Sequence, residues 1–321
     1  MTRFVLRRVA TSILMLVAAS VLVFAVLRLL PGDPVITRLG ATAGANPELL
    51  DRLRRDAGLE DSILSQYFSW IGGALTGDFG QSYFSQFSVT ELISRRIGPT
   101  LELTFIAILF SLLIAVPAAV KCSLNPGGAF DRFATGLSTA GMALPQFLLG
   151  VLLIMVFAVQ LRVLPARGYV PFADDPVGNL ERMVMPALTL AFAASPLVLR
   201  FLRASMIEAL ASSYVRTAEG KGVPRRRVVI GHALRNALIP GLTMLGMIVG
   251  YTLGGAVIIE YVFGIPGLGS LAVESVFKRD YAVLQSVVLL ISALFIFTTL
   301  VVDLLYGVLD PRLRVGGGSR G

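Results

Sequence analysis

A basic stretch at residues 200–235 contains the residues best suited to contact another protein. It holds eight Lys or Arg residues against two acids. It reads Tyr214-Val215-Arg216-Thr217-Ala218-Glu219-Gly220-Lys221-Gly222 and, after a basic run, His232-Ala233-Leu234-Arg235-Asn236-Ala237-Leu238-Ile239-Pro240. Gly220, Gly222 and Pro224 predict a bend between two short helices. A bent polar pair of this kind between two apolar spans would form a rigid knob whose displacement moves both spans.

The residues alone leave two partners open for this stretch. One partner is a soluble protein that docks on the bent helix pair. The other is anionic lipid, if the basic residues only follow the charge rule for membrane proteins. Nucleic acid is disfavoured although the formal net charge is +8, because the positive residues are distributed by loop rather than gathered on one soluble face.

Catalytic chemistry finds little support in the sequence. No Gly-x-x-x-x-Gly-Lys-Ser/Thr phosphate loop occurs, so the chain cannot by itself cradle and hydrolyse a nucleotide. His232 is the only histidine, which disfavours an intramembrane Ser/His/Asp site and excludes a two-histidine zinc motif. The single cysteine, Cys122, excludes an internal disulfide. The sequence therefore predicts a protein that is not an enzyme and binds no metal.

An ion-driven carrier is a second class that the residues leave open. Such carriers place ionisable residues in mid-membrane to relay protons or cations. The acidic candidates here are Glu102, Glu260 and Asp303, and all three lie at the ends of apolar runs. Interfacial caps are the commoner role at such positions, so the sequence disfavours an ion-driven carrier.

Six long apolar runs must position the basic stretch. The 321 residues are 55% hydrophobic and 15% charged, a balance that excludes a soluble domain of this size. The uncharged runs are 9–27, 103–120, 133–161, 183–199, 236–259 and 281–302. Each is near or above the ~18 residues with which a helix crosses about 30 Å of hydrocarbon. The sequence predicts an all-α membrane protein with six transmembrane helices, the first of them retained because no signal-peptide cleavage site follows it.

The loops between these runs differ in positive charge. Residues 1–8, 121–132, 200–235 and 303–321 hold 16 Lys or Arg in 75 residues, whereas 28–102, 162–182 and 260–280 hold 12 in 117. Short positively charged loops stay in the cytoplasm. Both termini and the basic stretch are therefore predicted to be cytoplasmic.

The outer segment between the first two runs, residues 31–99, is too long for a simple connection, although a solvated linker is the alternative to a folded cap. Asn46 and Pro47 predict the start of a short helix that ends at Gly58. A second helix is predicted with one apolar face and a stop at Gly72-Gly73; that face consists of Ile63, Leu64, Tyr67, Phe68 and Ile71. Ser88 and Glu91 have the capping-box spacing that predicts a third start before Pro99.

Several motifs in the chain resemble the inner-membrane permeases of ATP-binding-cassette importers, specifically the dipeptide and oligopeptide branch. They are Leu30-Pro31-Gly32-Asp33-Pro34, Gly77-Asp78-Phe79-Gly80-Gln81-Ser82, Ala143-Leu144-Pro145-Gln146-Phe147, Val262-Phe263-Gly264-Ile265-Pro266-Gly267-Leu268-Gly269, Arg279-Asp280-Tyr281, Asp303-Leu304-Leu305-Tyr306 and Leu309-Asp310-Pro311-Arg312. The resemblance covers nearly the whole chain. It implies the type I importer permease fold, with a small helical extracytoplasmic segment between transmembrane helices 1 and 2.

The basic stretch resembles this branch's version of the loop that docks on the ATPase. Permeases in general show Glu-Ala-Ala, three residues, Gly, nine residues and Ile-x-Leu-Pro. Here Arg216-Thr217-Ala218 stands for Glu-Ala-Ala, Gly222 keeps the glycine, and His232-Ala233-Leu234-Arg235 replaces the terminal element. These departures favour the peptide branch over sugar or amino-acid permeases. The docking residues implied by the resemblance are Tyr214, Arg216, Thr217, Ala218, Gly220, Lys221, Gly222, His232, Arg235 and Asn236.

The resemblance also implies partners and a division of the chain. Two cytoplasmic ATPase subunits would bind ATP and Mg²⁺, a second homologous permease would complete a heterodimeric pore, and an extracytoplasmic binding protein would deliver solute; this chain itself would bind no cofactor. The predicted segments are 1–30 (cytoplasmic N-terminus and helix 1), 31–99 (outer segment), 100–310 (helices 2–6, with coupling loop 203–235) and 311–321 (flexible cytoplasmic tail). A bacterial inner membrane is the expected location. Peptide is the expected solute, with nickel chelates and glutathione as alternatives.

Prolines and glycines inside the apolar runs predict bends and close helix approach. Pro117, Pro145, Pro186 and Pro196 can kink helices and free carbonyls toward a cavity, although packing adjustment is the commoner role. Small residues in the fifth run permit close approach across the pore or against the second permease. The candidate pathway or packing residues are Pro145, Gln146, Gly250, Thr252, Gly254 and Gly255.

Overall fold

The computed structural model describes residues 2–29, 60–85 and 87–309, together with 48, 52, 54 and 55, and this part of the chain is almost wholly helical. The helices are α1 (Thr2–Leu29), α2 (Ile63–Thr76), α3 (Val89–Leu124), α4 (Ala129–Ala143), α5 (Gln146–Leu153), α6 (Pro176–Ala211), α7 (Ser213–Gly220), α8 (Arg225–Arg227), α9 (Arg235–Phe263), α10 (Leu268–Lys278) and α11 (Tyr281–Leu309). Two π-helical segments, Ile154–Gln160 and Val228–Leu234, follow α5 and α8.

The described residues contain five helices that could cross a membrane singly, and a sixth candidate span if one bent helix pair is counted as a span. Helices α1, α3 and α6, and the greater parts of α9 and α11, are long and apolar enough to cross a bilayer singly. The remaining candidate, third in chain order, is a bent pair of helices. Its first part is α4, and its second part is α5 together with the π-helical segment that continues it; the two parts meet at an angle of 103°. Pro145 lies at this break, whereas Pro117, Pro186 and Pro196 lie inside continuous helices. The kink expected at Pro145 is therefore a complete interruption of the third span.

The core of the molecule is the packing of α3 against α6. One face of α3 carries small buried residues at helical spacing, namely Thr104, Ala107, Ser111, Ala115 and Ala119. The facing side of α6 carries Ala187, Ala191 and Ala194. Small side chains let two helix backbones approach closely, which is how helices associate in lipid without a hydrophobic driving force. Helix α6 is the central span, since its apolar segment is the most buried of the described spans.

The first and last spans pack together at the edge of this core. Arg8 near the start of α1 and Asp303 near the end of α11 form an ion pair at 2.9 Å. The start of α1 and the end of α11 are thus on one side of the protein. We call that side, which also carries residues 125–128 and 212–234, the inner end, and we call the side that carries residues 77–88, 161–175 and 264–280 the outer end.

The outer segment differs from its sequence prediction in three respects. Helix α2 continues through Gly72-Gly73 and ends at Gly77, whose φ of 85° favours glycine. Its packing face holds Tyr67 and Trp70, which contact Phe24 of α1, whereas most of the predicted apolar face is exposed. Ser88 does cap the next helix, with its Oγ accepting from Glu91 N at 3.2 Å, but that helix runs without interruption past Pro99 into the second span. The helix expected from Asn46 to Gly58 lies outside the described residues.

Candidate functional site

The basic stretch forms a compact element at the inner end, between the fourth and fifth spans. Helix α6 extends to Ala211, well past the expected loop start at residue 203, and the short helix α7 follows after a single residue. A turn at residues 221–224 then leads through α8 and the second π-helical segment directly into α9. We call residues 213–234 the inner knob. Because it is continuous with α6 and α9, a displacement of the knob must move both spans.

Buried apolar side chains anchor the inner knob to the spans. Val229 and Ala233 pack with Ala119 of α3 and with Leu202 and Met206 of α6. Val215 and Val228 are also buried, at 1% and 0% exposure. The spans α3, α6 and α9 therefore contribute to one apolar cluster beneath the knob. This cluster makes the knob a rigid extension of the bundle rather than a free loop.

A glycine is required at the tip of the inner knob. Gly222 has a φ of 76°, in the left-handed region that disfavours residues with a Cβ. Its N–H donates to Glu219 O at 2.9 Å, and Val223 N donates to Ala218 O at 3.1 Å. These bonds close the turn that sends the chain back toward the membrane. Gly220, two residues earlier, is helical and has no such restriction.

Nearly all of the residues expected to dock on a partner are exposed. All of Tyr214, Arg216, Thr217, Gly220, Lys221, Gly222, His232, Arg235 and Asn236 are exposed, and Ala218 is half-buried. Among the described residues, no ion pair joins Arg216, Lys221 or the arginines of α8 to an acid. The knob therefore presents uncompensated positive charge, which an acidic partner surface would complement.

A buried ion pair fixes the neighbouring inner loop. Arg203 of α6 donates from Nε and from an Nη to the two carboxylate oxygens of Asp131, both at 2.6 Å. Asp131 is only 4% exposed and also accepts from Gly127 N at 2.7 Å. This bidentate contact ties the turn before α4 to the last part of α6, nearly three helical turns before the knob. The sequence analysis did not identify it.

A buried carboxylate organises the outer end. Glu260, near the end of α9, is fully buried and accepts from Thr100 Oγ1 at 2.6 Å and from Ser270 N at 3.0 Å. Thr100 in turn accepts from Leu268 N at 2.7 Å. Glu260 thus caps the start of α10 and links it to α3 and α9. Gly267 leaves the room for this carboxylate, because a Cβ there would collide with it.

Two motifs that are far apart in the sequence meet at the outer end. Ser82 Oγ donates to Asp280 Oδ2 at 2.5 Å, and Tyr83 N donates to Asp280 Oδ1 at 3.3 Å. The same Oδ1 accepts from Val283 N in the first turn of α11. Asp280 therefore caps the last span and holds the segment that follows α2 against it.

Ser82→Ala is expected to destabilise the protein by about 1–3 kcal/mol, because it leaves a buried carboxylate oxygen without its donor. Ser82 Oγ also accepts from Phe84 N and Ser85 N, so the turn would loosen as well. Thermal unfolding in detergent, followed by size-exclusion chromatography, measures the loss. Ser85→Ala is the matched control, since Ser85 accepts one long bond from Phe87 N and lies outside the buried pair. Equal melting temperatures for the two variants would contradict the role of the Ser82–Asp280 contact.

A tyrosine at the outer end keeps a second acidic group in place. Tyr169, in the loop before α6, donates from its hydroxyl to Glu102 Oε2 of α3 at 2.8 Å. Burial, together with this hydrogen bond, raises the pKa of Tyr169 to about 12. A raised tyrosine pKa favours the neutral form in the folded state, so the stability that this contact contributes is complete below pH 10 and is lost as the pH rises from about 10 to about 12. The phenol therefore donates throughout the physiological pH range.

Four of the candidate pathway residues lie on α9. A Cβ on Gly255 would collide with Gln146 Oε1 of α5, and a Cβ on Gly250 would collide with Phe295 of α11, so both glycines permit close approach inside this chain. Gly254 has nothing within 4 Å and faces open space. Thr252 is buried, and its hydroxyl bonds Ile248 O of its own helix. Gly250 and Gly255 thus make close helix approaches within this chain.

Gly255→Ala is expected to be less stable than Gly254→Ala by about 1 kcal/mol, because the added methyl must displace the end of the Gln146 side chain and crowds Leu190. Gly254→Ala, at the next position, has open space around it and is expected to be neutral or slightly stabilising in a helix. The two melting temperatures measure the difference. A loss at Gly254 as large as that at Gly255 would contradict this packing arrangement.

Comparison with known proteins places the chain among membrane transport components. The family model described as "Binding-protein-dependent transport system inner membrane component" matches residues 107–315, and the N-terminal model of the same system matches residues 1–104. The chain is 39% identical to the glutathione transport system permease protein GsiC of Escherichia coli over 98% of this chain and 99% of that protein. It is 35% identical to a probable peptide ABC transporter permease protein of Sinorhizobium fredii, over 97% and 99%. An inward-facing MetNI methionine ABC transporter shares the fold, with a TM-score of 0.55 and 18% identity over 68% of this chain and 96% of that chain.

Proposed function

Because the chain belongs to the family of binding-protein-dependent transport system inner membrane components, we propose that it forms half of the solute pathway of an importer driven by separate ATPase subunits. It is a multi-pass inner-membrane permease of the ATP-binding-cassette importer class. The observation that carries the proposal is the inner knob: an exposed, basic, rigid element that is continuous with two spans and anchored to a third.

The inner knob supports docking on a soluble motor more strongly than contact with lipid alone. A lipid-binding segment needs positive charge but no fixed shape. The knob has a fixed shape, because Val215, Val228 and Val229 bury its underside and Gly222 closes its tip. Closure of the ATPases on ATP would pull the knob, and α6 and α9 would rock with it between inward-open and outward-open states. The docking residues of this model are the exposed ones named above, from Tyr214 to Asn236.

The proposal includes further partners. One chain supplies six spans, so a second homologous permease would complete the pore as a heterodimer, with two ATPase subunits beneath it. ATP and Mg²⁺ would be bound by those subunits and not by this chain, which would have no catalytic role. A solute-binding protein would dock on the outer end, where Glu260 and Asp280 fix α10 and the segment at residues 77–88. With the inner knob in the cytoplasm, both termini are cytoplasmic as well.

Peptides are the proposed solute class. The relatives named above include permeases whose names specify peptide or glutathione transport, and glutathione is itself a tripeptide. A nickel chelate or another small solute of similar size is the alternative. Competition for uptake by dipeptides, longer peptides and glutathione would separate these solutes.

Reconstitution tests the proposed function. Proteoliposomes that contain both permeases and the ATPases, with the binding protein outside, should accumulate peptide only when ATP is enclosed with the ATPases. Omission of the ATPases should abolish accumulation, even when a proton or sodium gradient is imposed. Accumulation by this chain under an ion gradient alone would favour the carrier class instead.

A further inference from the structure

Arg200 of α6 is an exposed cation at an unexpected depth. Its guanidinium donates to Thr139 Oγ1 of α4 at 2.8 Å, and among the described residues no acid pairs with it. Arg203, three residues later on α6, bonds Asp131, which lies on α4 like Thr139. Thr139 lies about 12 Å beyond Asp131 along α4, whereas Arg200 lies only about 4.5 Å from Arg203 along α6. The Arg200 guanidinium therefore reaches several ångströms deeper into the bundle than that of Arg203.

The direction of Arg200 is opposite to snorkelling. Side chains on a helix point toward its N-terminus, and α6 begins at the outer end. An arginine in lipid near the inner end would extend its guanidinium to the nearer headgroups, on the inner side. Arg200 points away from them and yet remains exposed. Such a position is compatible with water around the guanidinium and not with hydrocarbon.

The break of the third span lies on the path that Arg200 points along. Ala143, Leu144 and Pro145 are all exposed, and Leu144 is extended with a φ of −82° and a ψ of 127°. Pro145 has no N–H, so the Gly141 carbonyl lacks its partner four residues on. Non-helical backbone at membrane depth is tolerated only against protein or in a water-filled cavity. The break is thus a second and independent mark of a surface that does not face lipid.

The exposed side of α4 divides into two flanks. One flank holds small or polar residues at helical spacing, namely Arg132, Gly136, Thr139 and Ala143. The other holds Phe133 and Leu137, which are 67% and 47% exposed. Bulky apolar side chains suit lipid, whereas the small and polar flank leads from Asp131 to the break. Arg200 bonds the small and polar flank.

We propose that this small and polar flank, with Arg200 and the break at Leu144-Pro145, lines the water-filled solute path, where Arg200 favours solutes that carry a carboxylate. The proposal rests on the proposed function, because it takes the solute path of an importer as given. It places a positive potential partway along that path. A peptide C-terminus or an acidic side chain is the chemistry that an unpaired guanidinium would attract.

Thiol labelling of the assembled transporter in lipid nanodiscs tests the proposal. Single cysteines replace Thr139 or Ala143 on the small and polar flank, and Phe133 or Leu137 on the apolar flank, each in a Cys122→Ser background. An anionic sulfonate reagent of the methanethiosulfonate type should modify T139C and A143C quickly and F133C and L137C at least about tenfold more slowly, because the charged reagent does not enter hydrocarbon. Equal, slow rates on both flanks, as lipid or a second subunit packed there would produce, would overturn the proposal.

The charge of Arg200 is tested in the same T139C background. Adding Arg200→Gln should slow the anionic reagent about fivefold and accelerate a cationic trimethylammonium reagent about fivefold, the effect of one unit charge about 4 Å away in water. Arg200→Lys should leave both rates near those of T139C alone. Rates that are unchanged by Arg200→Gln would overturn the role of the guanidinium. These readouts involve no uptake, so failure of ATP-driven transport and failure of this inference are separate results.

Discussion

Gly222→Val is expected to reduce ATP-driven uptake by about tenfold or more, while the protein still inserts and assembles. A β-branched residue at a φ of 76° costs about 1–3 kcal/mol of strain, and the turn would relax into another shape. The tip of the inner knob would then no longer fit the ATPase surface on which we propose that it docks. Buried anchors such as Val229 are untouched, so the spans should keep their packing.

Gly220→Ala is the matched control for this variant. Gly220 is helical and has nothing within 4 Å, so an alanine fits there without strain. Uptake should stay close to that of the unmodified protein. Uptake and ATP hydrolysis are measured together in the reconstituted transporter, and Gly222→Val should lower uptake more than hydrolysis. Normal uptake by Gly222→Val, with normal protein amounts, would contradict a coupling role for the knob.

Asp131→Ala is expected to destabilise the protein by about 2–4 kcal/mol. Removal of one partner of a buried ion pair typically costs about 3–5 kcal/mol, and the lower figure here allows for the 27% exposure of Arg203. The turn at Gly127 would also lose its acceptor. The amount of folded protein and its melting temperature in detergent measure the effect.

Two further variants separate the pair from other causes of instability. Asp131→Ala combined with Arg203→Met should recover part of the loss, because the unpaired buried charge is removed. Lys278→Ala removes an exposed pair with Glu274 at 3.9 Å and should change stability by less than about 1 kcal/mol. A double variant less stable than Asp131→Ala, by the full cost of a second substitution, would contradict the electrostatic explanation.

The hydropathy pattern was sufficient to predict the apolar spans and the part of the chain that holds the inner knob, although α6 continues to Ala211 and the knob begins only at Ser213. Six uncharged runs correspond to six spans, because a helix in lipid must satisfy its own backbone and so needs a long apolar sequence. The bend near Gly222 and Pro224 was also predictable, since positive φ and a missing N–H are properties of those two residue types.

The side-chain contacts between distant segments could not be predicted from one sequence. Ser82 and Asp280 are separated by 198 positions, and nothing in either motif indicates the other. Asp131 and Arg203 form a pair only because the third and fourth spans pack antiparallel at that level. Such contacts depend on the three-dimensional arrangement of the helices.

The second helix of the outer segment shows a different limit of sequence reasoning. An apolar pattern predicted which face of α2 packs, but Ile63, Leu64 and Phe68 are exposed, and the contact with α1 is aromatic and polar. Near a membrane, apolar residues are compatible with exposure to lipid, so hydrophobicity alone does not identify the protein-facing side. The glycine pair did not end the helix either, since glycine only weakens a helix interior by about 1 kcal/mol.

Site-specific photo-cross-linking tests most directly whether the inner knob docks on a separate ATPase. A photoreactive amino acid replaces Arg216 on the knob or, as a control, Phe277 at the outer end, which is 75% exposed. In membranes that contain the whole transporter, irradiation should join the Arg216 variant to an ATPase subunit and should not do so for the Phe277 variant. An adduct with the ATPase from Phe277 and none from Arg216 would contradict the proposed orientation and the coupling role together.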